Sequence, residues 1–221
     1  MNSYQSYYPD LKFLALFISI VFHPLFVATY ACLLLFFGLK NSIFEMMTSF
    51  ESKVQITITV FTFTFLLPSI NIFIMYRLKR IRSITLSERS ERSFPYFMTA
   101  IFYFGLFYLL YDIRIWETIK IFVFCAGTAI LLTALINTKY KISAHMVGVG
   151  GLTGILISLS IVLKSDFMYL ILASIIVAGL VGWSRIKLNE HNQGQVYLGY
   201  GLGMFCQLVL FMLLEKFVLN L

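Results

Sequence analysis

An arginine, a histidine and a carboxamide are set into one short polar interval of this chain. The stretch from Trp183 to Gly203, WSRIKLNEHNQGQVYLGYGLG, places Arg185, His191 and Gln195 between two long apolar runs. Asn192 and Gly194 supply turn chemistry, which folds the interval back and brings Arg185 toward His191. A guanidinium beside an imidazole suits an anion. Two other intervals carry matching chemistry. Arg77 to Pro95 holds Arg77, Lys79, Arg80, Arg82, Arg89 and Arg92, six of the seventeen basic residues, and in a helix Arg82, Arg89 and Arg92 would share one face. That stretch reads either as a solvated loop with the positive charge of a cytoplasmic side or as an arginine clamp for phosphate. The third interval, NTKYKISAH, ends in Ser143, Ala144 and His145.

The elements that must position these groups are apolar helices. Of the 221 residues, 60% are hydrophobic and 12% charged, with a mean hydropathy of +0.87, against roughly 25% charged residues in a soluble domain. The expected class is an all-α integral membrane protein, one domain, with about seven spans: Phe13–Phe37, Val54–Tyr76, Tyr96–Tyr111, Ile119–Ile136, Met146–Leu163, Phe167–Gly182 and Val196–Leu214. A short linker with Asp112, Arg114 and Glu117 joins the third to the fourth. The first run is too long for a signal-peptide core and reads as a retained helix, kinked at His23-Pro24, with the histidine either satisfying local polar groups or facing the bundle interior. The net charge of +7 lies in short loops without a basic tail, which points to lipid headgroups and phosphorylated substrates and away from nucleic acid. Cys32, Cys125 and Cys206 fall in separate apolar segments and read as packing residues.

Parity then gathers the chemistry. Two crossings separate the Arg77–Pro95 loop from Ser143 and His145, and two more lead to Arg185 and His191, so all three clusters share one face. The orientation of that face is not assigned. Eleven basic residues fall on it against six opposite, but without Arg82, Arg89, Arg92 and Arg185 the division is seven to six.

The three intervals together resemble the type 2 phosphatidic acid phosphatase superfamily. Ser184-Arg185, five residues and His191 match its third motif, with Gln195 where the family has aspartate. Ile142-Ser143-Ala144-His145 is similar to its second motif, and Arg82, Arg89 and Arg92 loosely echo the first, so a phosphatase-like core would cover about residues 77–214. The resemblance implies His191 as nucleophile, forming a phosphohistidine, and His145 as general acid to the departing alkoxide. Arg185, with Arg89 and Arg82 or Arg92, would hold the phosphoryl oxygens, aided by the backbone N–H groups of Ser143 and Ala144. Gln195 would orient His191 without supplying charge, and Glu190 is the nearby carboxylate that would stand in. No metal or other cofactor is implied, and the substrate would be a phosphorylated lipid of a plasma (inner) membrane. The rival expectation is a non-catalytic binder of lipid headgroups with the same fold. A small transporter is a third, disfavoured because the polar groups gather at one face and not at the midplane.

Overall fold

The computed structural model describes residues 9–39, 42–111 and 117–219, so Asp112 and Arg114 of the expected linker lie outside the described residues. Helices are the only regular elements among the described residues: α1 (Pro9–Val21), α2 (Pro24–Gly38), the short α3 (Ile43–Met46), α4 (Phe50–Arg77), α5 (Arg89–Tyr111), α6 (Glu117–Asn137), α7 (Ala144–Val162), α8 (Met168–Lys187) and α9 (Gln193–Lys216). Six of them, α4 to α9, are long and apolar enough to cross a membrane, and counting α1 and α2 together as one broken span makes seven.

The expected first span is therefore not one kinked rod. Pro24 has no N–H to continue a helix from α1, so the chain breaks at Phe22-His23 and α2 starts afresh, its axis turned 59° from that of α1. Only one side of α1 is buried. Ile18 packs with Ala178 and Val181 of α8, while Phe13, Leu16, Phe17 and Ile20 are exposed.

The tightest helix pair is α7 against α9, and glycines on both helices make the close approach possible. A Cβ on Gly199 would come within 2.6 Å of the Ser143 carbonyl oxygen, and one on Gly154 within 2.8 Å of that of Met204. At Gly150 and Gly203 the intrusion would be greater still. Such stripes let backbones meet and gain dispersion contacts over their whole length. The consequence is local: the first turn of α7, with His145, lies against the first turn of α9, with Gln195, and the Ser143 amide donates to the Gln195 carbonyl at 3.4 Å. Asn137 at the end of α6 donates to Arg89 O and Ser93 Oγ, at 2.9 and 3.0 Å, and fixes the start of α5 at the same end of the bundle. A separate apolar core, including Phe36, Phe44, Ile119, Ile155, Leu159 and Phe211, fills the opposite half.

Candidate functional site at the histidine end of the bundle

The turn after α8 explains how Arg185 and His191 meet. Asn189 adopts a left-handed conformation, φ 57°, which asparagine tolerates better than most residues. The Arg185 carbonyl then accepts from the amides of both Glu190 (3.1 Å) and His191 (3.3 Å), folding the chain back beneath the arginine. Asn192 caps α9 by accepting from the Gln195 amide at 3.0 Å. The turn chemistry thus resides in Asn189 and Asn192; Gly194 has no positive φ and sits inside the first turn of α9.

His191 is 7% exposed and held at both nitrogens. Its Nδ1–H donates to Gln195 Oε1 at 2.8 Å, which leaves the lone pair on Nε2, and Arg92 Nη1 donates to that nitrogen at 3.2 Å. Burial, with Arg92, Arg185 and Lys141 adding to it and the Gln195 bond opposing, pushes the imidazole from an ordinary 6.5 down to about 3. At neutral pH it is uncharged. Lys141 is likewise held below the usual ammonium range, chiefly by burial and then by Arg92.

A continuous polar chain crosses the site. Arg92, 3% exposed, pairs with Glu190 at 3.4 Å, and Glu190 also meets Arg185 at 3.7 Å. Arg185 Nη1 donates to Ser19 Oγ at 2.6 Å. His145 Nε2–H donates to the Ser19 carbonyl at 3.0 Å, with the Ser19 hydroxyl 3.2 Å away. The His145 ring stands edge-on to that of His23, centroids 5.3 Å apart. Arg92 further anchors the loop above it, donating through Nε to Leu86 O and through Nη2 to Ser87 O. The Nε–H of Arg185 is buried and has no partner among the described residues.

The histidines and two arginines of this network line one cavity of about 170 Å³. All three histidines of the chain, His23, His145 and His191, reach it together with Arg92, Arg185 and Ala144. From this polar end it runs into the bundle between Ala31, Tyr103, Phe122, Ala126 and Leu152, and Gln207 lies at depth. Although three imidazoles share the cavity, no three His, Cys, Asp or Glu side chains among the described residues are arranged to hold a metal ion.

Several expected site residues take other places. Arg82 precedes α5, so helical spacing does not apply to it; its side chain is 89% exposed and meets only Glu91, at 3.8 Å. Arg89 begins α5 and is exposed. Of the three arginines only Arg92 enters the cavity. The Ser143 amide is taken by Gln195 O, its buried hydroxyl has no partner among the described residues, and the residue does not line the cavity. Glu190 bridges two arginines and leaves the Nδ1–H of His191 to Gln195 alone. Ser19 was not expected at the site, and His23 was read as part of the kink and not as a site residue; the one signal for both was the His-Pro pair that breaks the run. Comparison with models of known protein families, with curated proteins and with solved structures finds no match.

Proposed function

We propose that this chain is an integral membrane enzyme of the type 2 phosphatidic acid phosphatase kind, removing or transferring the phosphoryl group of a lipid phosphate through a phosphohistidine on His191. The observation that carries the reading is the state of His191: neutral, its Nδ1–H held by Gln195 and its Nε2 lone pair directed at Arg92, in a cavity that also holds Arg185 and His145. Nε2 attacks phosphorus, the P–N bond forms, and the P–O ester bond breaks. Arg92 turns from Nε2 to the phosphoryl oxygens, and the unpartnered Nε–H of Arg185 gives the same group a second donor.

His145 suits the acid role through Nδ1. Its Nε2–H is already committed to the Ser19 carbonyl, which orients the ring and leaves Nδ1 for the proton transfer, as a carbonyl or carboxylate behind a catalytic histidine does. The Nδ1–H of the imidazolium goes to the departing oxygen; in the second step Nδ1 takes a proton from the water that splits the P–N bond. Two guanidinium groups against one carboxylate, Glu190, leave the site net positive for an anion. The apolar limb of the cavity, walled by Phe122, Ala126 and Leu152, matches a headgroup joined to a hydrocarbon chain, and the apolar exposed flanks of α4 to α9 match a bilayer.

Gln195 favours a second reading. Its amide oxygen selects the right tautomer but cannot neutralise the imidazolium formed on phosphorylation, and a protein that binds lipid headgroups without turnover would have this site. Phosphate release from phosphatidate or a polyprenyl phosphate in mixed micelles decides between them. The enzyme reading expects turnover that His191→Ala abolishes; a folded wild-type protein inert toward several lipid phosphates would leave the binder.

A further inference from the structure

The break between α1 and α2 has a product that the mechanism above does not use. His23 caps α2, accepting the Leu25 amide on Nδ1 at 3.4 Å. An imidazole whose Nδ1 accepts is neutral and carries its proton on Nε2. That Nε2–H has no hydrogen-bond partner among the described residues, and the ring lines the polar end of the cavity beside His145. Gly148 of α7 permits the approach: a Cβ there would meet Val27 at 3.1 Å and the Pro24 backbone at 3.5 Å. Pro24 and Leu25, the first residues of α2, line the same cavity.

We infer that His23 is a third imidazole of the phosphoryl site, a neutral donor whose Nε2–H holds an oxygen of the bound group, presented by the break in the first apolar segment. This rests on the phosphoryl reading above. The division of labour among the three rings follows from their partners. His191 offers a lone pair, His145 exchanges a proton on Nδ1, and His23 gives a hydrogen bond without titrating. A neutral imidazole used as a donor is a known device where a proton transfer is not wanted. The first helices, which lie outside the phosphatase-like core, would then supply part of the site.

Orthovanadate binding to the detergent-purified full chain tests this. His23→Asn retains a side chain that caps α2 equally well but is too short to present the donor. The expected result is an unchanged melting temperature without vanadate and a dissociation constant raised about tenfold or more, the loss of one hydrogen bond to a charged group. His23→Gln, with a longer amide, should recover part of the affinity. In a second measurement that needs no variant, vanadate should shift the Nε2 resonance of His23 in 15N-histidine-labelled protein. Wild-type affinity in a folded His23→Asn protein, or a His23 resonance unmoved by saturating vanadate, would overturn the inference while leaving the phosphoryl reading intact. No vanadate binding by the wild type would remove that reading, and this inference with it.

Discussion

The two ends of the helical bundle handle buried charge in opposite ways. At the end opposite the histidines, Lys120 is neutralised by Glu117 three residues away (2.8 Å) and by the Tyr111 carbonyl (2.9 Å), and Lys53 donates to the Glu45 carbonyl eight residues back. Each partner comes from the same stretch of chain, and the contact caps or tethers a helix end. At the histidine end the partners are far apart in sequence: Arg92 with His191 and Glu190, Arg185 with Ser19, His145 with Ser19. Holding a buried cation needs only a nearby carbonyl. A network that joins α1, α5, α7, α8 and the turn before α9 around a cavity, and leaves the buried Arg185 Nε–H without a partner among the described residues, has a donor to spare for something not part of the chain. Buried donors of that kind are costly unless a ligand or water meets them.

Substitutions at the two ends test this contrast. The largest effect is expected for His191→Ala, which should lower phosphate release at least about 10³-fold by removing the nucleophile, whereas Lys120→Ala at the other end should leave turnover unchanged and alter stability alone. Next comes Gln195→Glu. Glutamate keeps the reach that places Oε1 at 2.8 Å and adds the missing charge, so turnover should rise, by up to about 10⁴ if the serine-protease comparison of aspartate with amide transfers in full. Arg185→Ala should abolish the rise in melting temperature given by vanadate, and Arg89→Ala should not, because only the former reaches the cavity.

Smaller effects probe the scaffold. Gly203→Ala forces α9 away from the Val147 carbonyl of α7 and should cost about 1–3 kcal/mol, together with activity. Gly201→Ala on the same helix has nothing within 4 Å and should stabilise by about 0.5–1 kcal/mol. The last effect is on acid stability. His191 is depressed to about 3 in the fold, so its contribution is fully present above the unfolded value of about 6.5 and is lost as pH falls from there toward 3. His191→Gln, which does not titrate, should flatten that part of the unfolding curve. An acid limb identical to that of the wild type would show that the buried ring is not its source.

Much of the site could be read from spacing and parity. The interval from Arg185 to Gln195 is local, and its turn is written in asparagines, so bringing Arg185 to His191 needs no tertiary knowledge. Crossing parity brought His145 to the same end. The choice among Arg82, Arg89 and Arg92 was not legible, because it depends on where α5 begins: the chain before Arg89 turns without helical period, and only the first full turn of α5 points Arg92 inward. Ser19 and His23 were hidden for a different reason. Pro24 starts the 59° bend locally, but where the bend seats α2 depends on Gly148, against which α2 packs more than a hundred residues further on. Glu190 was visible and its pairing with Arg185 is local, but its pairing with Arg92 follows from tertiary contact alone.

The central claim is that His191 Nε2 becomes covalently phosphorylated. Wild-type and Gln195→Glu proteins should be quenched with alkali and detergent during turnover of a 32P-labelled lipid phosphate, and the label located by peptide mapping. The account predicts an alkali-stable, acid-labile phosphohistidine at His191, abolished in His191→Ala along with turnover. Turnover that persists in His191→Ala, or label at another residue, would contradict it.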